Sequence, residues 1–184
     1  MSEATLDVKT IQEFVPEFEI ASSADRAEVQ EQLGRVPRGM VGVARRLKNR
    51  EIAVVVTAPW VEVTRHGEVR QEPFPTTFYL SNPELVARLS KLEANGVMKD
   101  FETELAGDTD LSASYLKAHR AYINFRDQIL APMLELQPLS RTHSDFSSGG
   151  MPSRVKCLHA LSGHFLATGD NPIGERALRM INLL

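Results

Sequence analysis

MVGVARRLKNREIAVVVTA, residues Met40 to Ala58, carries the strongest strand signal in the chain. Its two ends, Met40–Ala44 and Ile52–Ala58, are rich in β-branched residues, and a polar, charged stretch separates them. They therefore read as an antiparallel strand pair. Working outward, Trp60–Thr64 reads as an extension of the second strand past Pro59. Thr76–Leu80 (TTFYL), following Pro73-Phe-Pro75, reads as a third strand. Upstream, Ser22 or Ser23 can cap a helix over Ala24–Leu33, which Gly34 ends.

Downstream the pattern turns helical. Asn82 before Pro83 marks a helix start, because the amide caps and proline fits the first helical position. That helix aligns Leu85, Val86, Leu89 and Leu92 and stops at Asn95-Gly96. A second runs over Val97–Leu105, and a longer one over Leu111–Leu130, with Pro132 and Pro138 after it. Residues 140–150 read as a loop. A helix over Pro152–Ala167 and a short one after Asn171-Pro172 complete the chain. The expectation is an α+β fold: a small antiparallel sheet of about three strands in the N-terminal half, packed with a helical C-terminal half. One domain spans 22–184, preceded by an acidic, flexible segment over 1–21.

Composition narrows the function classes. The 184 residues carry 24 acidic and 21 basic side chains, a net charge of -3, one cysteine and 42% hydrophobic residues. Those fractions are those of a globular domain and exclude a disordered chain or a fibre. One cysteine excludes a disulfide framework and an all-cysteine zinc site. The first twenty residues lack a signal-peptide core, and Ile52–Val61, which contains Pro59, is about half of a membrane span. A cytoplasmic protein without membrane contact is expected.

Charge is segregated. Acidic residues dominate up to Gly34, whereas Arg35, Arg38, Arg45, Arg46, Lys48 and Arg50 make the next stretch wholly basic. No aromatic residue interleaves with these cations, so nucleic acid is not the expected partner. Either the acidic N-terminus or Arg35–Arg50 offers a surface for a partner protein, or the two faces attract each other.

Reactive residue types concentrate in Gly149-Gly-Met-Pro-Ser-Arg-Val-Lys-Cys-Leu-His-Ala-Leu-Ser-Gly-His164. On a helix from Pro152, Cys157 and His164 lie roughly 10.5 Å apart along the axis, too far for a hydrogen bond. Cys157 and His159 fall on nearly opposite faces. Two histidines five apart are poorly spaced for one metal, which would need His66, His119, His143 or Asp145 as well, and no metal or other cofactor is assigned. Gly149 and Gly150 ahead of a helix start, with Arg154, Lys156 and His159, form a candidate anion site; Cys157 and His159 are its candidate catalytic residues. A tight turn, a solvated edge and a packed helix account for the same residues.

The chain resembles a known family. Pro73-Phe-Pro-Thr-Thr-Phe-Tyr-Leu80, Leu92-Glu-Ala-Asn-Gly-Val-Met98, Val155-Lys-Cys-Leu-His159 with His164, and Asn171-Pro172-Ile-Gly174 resemble the bacterial domain-of-unknown-function family numbered 501. Arg35, Pro37, Arg38 and Gly39 fit it too, and the resemblance runs from about Val29 to Gly174. The family has no assigned activity. What the resemblance implies is gene proximity to an exopolyphosphatase, enolase and a septum-formation protein, hence phosphate chemistry or envelope growth. Members often carry cysteines where this chain has Leu47–Arg50 and Asn82, so a cysteine-rich metal site is not available here. The expected function is binding, or binding and turnover, of an anionic or phosphorylated small molecule at the helix after Gly149-Gly150. The alternative is a non-catalytic adaptor in cell division or envelope growth.

Overall fold

The computed structural model describes residues 6–74, 76–139 and 147–184. In chain order the elements are α1 (Val8–Gln12), β1 (Glu19–Ile20), α2 (Ser23–Leu33), β2 (Met40–Arg46), β3 (Ile52–Thr57), β4 (Trp60–Arg65), β5 (Glu68–Pro73) and β6 (Phe78–Leu80). The helices α3 (Pro83–Ala94), α4 (Val97–Gly107) and α5 (Thr109–Asn124) follow. A π-helical segment (Phe125–Leu130), α6 (Ala131–Met133), α7 (Leu158–Thr168) and α8 (Pro172–Met180) complete the order. The fold is α+β, with an antiparallel sheet in the N-terminal half and a mostly helical C-terminal half.

The strand pair read from Met40–Ala58 is β2 and β3, with Val43 opposite Val55 and Arg46 opposite Ile52. They sit at the centre of a four-stranded sheet ordered β1-β2-β3-β6. All six residues of β3 are buried, because helices cover both faces. Val54 and Val56 join the large core beneath α7, while Ile52 and Val55 pack with Val29 of α2. Burial on two sides removes the need for polar alternation, which explains the unbroken apolar run.

Trp60–Arg65 does not extend β3. It turns back as β4 and pairs with β5 in a separate two-stranded hairpin. The hinge is His66-Gly67, both at positive φ (52° and 82°), which is the handedness a two-residue hairpin turn requires. Strand β5 escapes sequence detection because it is almost wholly exposed and carries no apolar alternation.

Residues 6–21, set apart from the domain in the sequence reading, contribute Ile11, Val15 and Phe18 to the main core, each fully buried. Ion pairs reinforce the docking. Arg45 pairs with Glu17, and Arg46 reaches Asp25 at 2.6 Å, Glu19 at 3.5 Å and Glu28 at 3.8 Å. The acidic and basic stretches thus face each other.

Helices α2, α3, α4 and α8 form where capping and periodicity indicate. Ser22 with Asp25 makes a capping box, Asn82 accepts from the Leu85 amide, and Asn171 accepts from the Gly174 amide. The helix expected over Leu111–Leu130 loses its α geometry at Phe125, where the π-helical turn buries Arg126 and Asp127 completely. Their bidentate pairing at 2.8 Å, and the Leu139 amide 3.0 Å from Asp127, satisfy groups that could not otherwise stay buried.

Helix α7 holds the two halves together, packing on β6, β3, α3 and α8. A Cβ at Gly163 would sit 2.9 Å from the Phe78 carbonyl oxygen, and one at Gly174 would run into the Leu161 carbonyl. His164 stacks on Phe78 at 5.4 Å and is buried. Asn171 donates to its Nδ1 (3.1 Å), so the ring proton resides on Nε2. No helix among the described residues is long and apolar enough to cross a membrane.

Two predictions follow from this packing. Burial depresses the His164 pKa to about 3. The unfolded chain therefore takes up a proton near pH 6.5 that the folded chain refuses. Stability contributed by neutral His164 is complete above pH 6.5 and falls below it, with a limiting slope of about 1.4 kcal/mol per pH unit. Urea unfolding between pH 4 and 7.5 should show this slope, and His164→Gln should flatten it. Gly174→Ala should destabilise by about 1–3 kcal/mol, read from the urea midpoint, because α8 must move off α7 to admit the methyl group.

Candidate functional site

The candidate site lies where the start of α7 meets α3. The helix expected from Pro152 begins instead at Leu158, with Cys157 as its extended N-cap residue (φ -157°). This corrects the opposite-faces expectation for Cys157 and His159, which presumed one continuous helix. Helical Cα–Cβ bonds tilt toward the N-terminus, so the His159 ring leans back to where Cys157 sits. The Cys157 Sγ is 3.9 Å from His159 Nδ1.

Helix α3 supplies the opposing wall. Val86, Ser90 and Glu93 follow at intervals of four and three, on one face. His159 Nδ1 lies 3.1 Å from Glu93 Oε1, and its Nε2 lies 3.1 Å from both the Val86 carbonyl and Ser90 Oγ. Glu93 Oε1 also accepts from the Leu158 amide at 2.6 Å, a carboxylate seated at the positive end of α7. The His159 pKa is raised to about 9. The Cys157 sulfur is the foremost cause, burial opposes it, and the Val86 carbonyl and the Glu93 charge add to it. Glu93, Cys157 and His159 are all partly buried, and their ligand-type atoms lie within 4.8 Å of one another, close enough for one metal ion. Glu93 was not among the candidate site residues read from sequence; the one signal for it was its place in the Leu92–Met98 block that resembles the family.

A cleft of about 260 Å³ opens beside this cluster. Leu33, Phe78, Leu80, Val86 and Ala160 make its apolar wall, and Thr76, Tyr79, Cys157 and His159 are its polar lining. Six residues of the Pro73–Leu80 and Val155–His159 blocks, Thr76, Phe78, Tyr79, Leu80, Cys157 and His159, thus share one surface.

The loop residues proposed for an anion are arranged differently. Gly149 and Gly150 adopt positive φ (71° and 97°) in a turn closed on itself, with the Lys156 amide on the Gly149 carbonyl (2.7 Å) and the Arg154 amide on the Gly150 carbonyl (2.9 Å). Glu102 of α4 takes Arg154 Nε at 2.8 Å and the Val155 amide at 3.0 Å. Arg154 and that amide hold Glu102 below the usual carboxylate range. The amides of Arg154, Val155 and Lys156 are therefore bonded within the chain and not free to hold an anion. Lys156 is exposed and makes no ion pair among the described residues. The other conceivable ligands are scattered. His66 is in the β4–β5 turn, His119 Nδ1 lies 2.8 Å from Ser147 Oγ, and His143 and Asp145 fall outside the described residues.

The family model for a protein of unknown function (DUF501) matches residues 43–179, and the chain belongs to that family. No curated protein and no solved structure matches the chain. The matched span contains Glu93, Cys157, His159 and the whole cleft apart from Leu33.

In metal-free protein, the His159 imidazole should titrate near 9 by proton NMR. Cys157→Ala should bring it back toward 6.5 by removing the leading cause. A titration near 6.5 in the wild-type protein would contradict this geometry.

Proposed function

We propose that this protein binds, and acts on, a small molecule with an apolar body and an anionic head, seated in the cleft with its head against Cys157 and His159. The observation that carries the reading is the division of the cleft into an apolar wall and a polar lining that contains no carboxylate. Thr76 and Tyr79 can donate hydrogen bonds to an anionic head and His159 stands beside it as a positive group, while Leu80, Val86 and Ala160 accept the body. The volume is at the small end of ligand sites, which suits a metabolite of modest size rather than a polymer. His159 and Cys157 then face the reacting end, His159 as a source of positive charge and Cys157 as a polarisable sulfur. The reading keeps the site on the helix after Gly149-Gly150 but seats the anion at its first turn rather than in the glycine loop. It takes the protein to be bacterial, as the family resemblance implies, and cytoplasmic, as the sequence composition leads one to expect.

The adaptor reading has less support. Arg45 and Arg46, two cations of the basic stretch, are matched by Glu17, Glu19, Asp25 and Glu28 of the same chain.

Thermal unfolding of the purified protein with phenyl phosphate, hexanoate and inorganic phosphate tests the proposal. A ligand at one hundred times its Kd stabilises by about 2.7 kcal/mol. Phenyl phosphate or hexanoate should raise the midpoint more than inorganic phosphate does. His159→Ala should abolish the shift, and Lys156→Ala should only weaken it. No shift with any of the three, or a shift that survives His159→Ala unchanged, would overturn the reading.

A further inference from the structure

We infer that Glu93, Cys157 and His159 form a three-ligand site for a divalent transition metal of the zinc type; this deepens the proposal above and rests on the same corner of α3 and α7.

The arrangement is convergent rather than sequential. A relay that activates a thiol uses one ring nitrogen for the thiol and the other for the carboxylate. Here Cys157 Sγ and Glu93 Oε1 both face Nδ1, at 3.9 and 3.1 Å. Nε2 instead meets the Val86 carbonyl at 3.1 Å, an acceptor that holds a proton on that nitrogen. The Nδ1 lone pair is thereby turned toward a sulfur and a carboxylate oxygen. Three electron-rich atoms directed at one point call for a positive centre between them.

Spacing agrees with a metal as that centre. Zinc bonds of about 2.3 Å to sulfur and about 2.0–2.2 Å to nitrogen and oxygen, at tetrahedral angles, set ligand edges of about 3.6 Å (S···N) and about 3.4 Å (N···O). The observed 3.9 and 3.1 Å differ from these by about 0.3 Å, a movement within side-chain rotation.

The outer contacts are those a metal site uses. The Val86 carbonyl and Ser90 Oγ hold the far side of the imidazole, and the Leu158 amide orients the Glu93 carboxylate. A sulfur, a nitrogen and an oxygen donor suit zinc or cobalt and not magnesium or calcium. Three protein ligands leave the fourth position open. Cys157 and His159 line the cleft and Glu93 does not, so that position faces the cleft, where an anionic head could complete the coordination.

The competing account is a proton in the metal's place, an imidazolium–carboxylate pair. Full-length protein stripped with a chelator and titrated with Co²⁺ separates the two. One equivalent should bind, with a thiolate-to-cobalt charge-transfer band and visible bands of tetrahedral intensity, and one equivalent of Zn²⁺ should displace it. Cys157→Ser should remove the charge-transfer band. Glu93→Gln and His159→Gln should each lower affinity by at least about tenfold, and Ser90→Ala, which removes only an outer contact, should lower it less. His66→Gln should change nothing. Absence of the bands, or equal affinity in wild type, Glu93→Gln and His159→Gln with unchanged circular dichroism, would overturn the assignment and leave the ion pair. Running phenyl phosphate and hexanoate against stripped and Zn²⁺-loaded protein keeps the two proposals apart. A ligand shift without metal binding sinks only the metal site, and metal binding without a ligand shift sinks only the small-molecule reading.

Discussion

Strand β3 must be covered on both faces, and most of the molecule answers that demand. Six consecutive residues from Ile52 to Thr57 are buried, and none offers water a polar side chain except Thr57, whose hydroxyl bonds to the Thr76 carbonyl at 2.5 Å. A strand of this kind is stable only between two layers. Helix α2 supplies the thinner one through Val29. The thicker layer needs a helix that can approach the sheet backbone closely, and α7 qualifies because Gly163 presents no side chain to the Phe78 carbonyl. His164 then stacks on the Phe78 ring, and Asn171 ties it to the start of α8. Sheet, α7 and α8 are locked in one register by small residues and one buried imidazole.

Placement of the site follows from that lock. With α7 pinned at Gly163, its first turn can only emerge beside β6 and α3. The unpaired amides of that turn would normally draw a solvent anion. Here the Leu158 amide meets Glu93, and the Val155 amide just ahead of the helix meets Glu102, both carboxylates from neighbouring helices. The same carboxylate that caps α7 is the one beside His159, so a structural task and the site's electrostatics share Glu93.

Much of the fold was legible because its signals are local. Proline after Asn82 and Asn171, the Ser22–Asp25 box and the β-branched runs each act within a few residues. What was missed depended on distant partners. Strand β5 is polar because no layer covers it, and the hairpin is announced only by His66-Gly67. Ile11, Val15 and Phe18 look like sporadic apolar residues in an acidic stretch until the core they fill is known. The π-helical turn at Phe125 serves the burial of Arg126 and Asp127, which no periodicity indicates. The site was half legible. Cys157 and His159 stood out by residue type, whereas Glu93 lies on a helix more than sixty residues away and joins them only through packing.

The boundary of α7 sets the geometry of the Cys157–His159 pair. A continuous helix from Pro152 would separate Cys157 and His159 by two residues' rotation, and no argument about either residue alone repairs that. Starting the helix at Leu158 changes the geometry entirely. Cys157 is left extended, its side chain free of the helical repeat, while His159 in the first turn tilts back toward it. The pair is made by the end of the helix, not by the helix. The turn at Gly149-Gly150 prepares that end, since its closure on Arg154 and Lys156 consumes the residues that would otherwise have propagated the helix. In the Lys-Cys-Leu-His block, then, Leu158 is the core anchor that fixes the first turn, and Cys157 and His159 on either side owe their convergence to it.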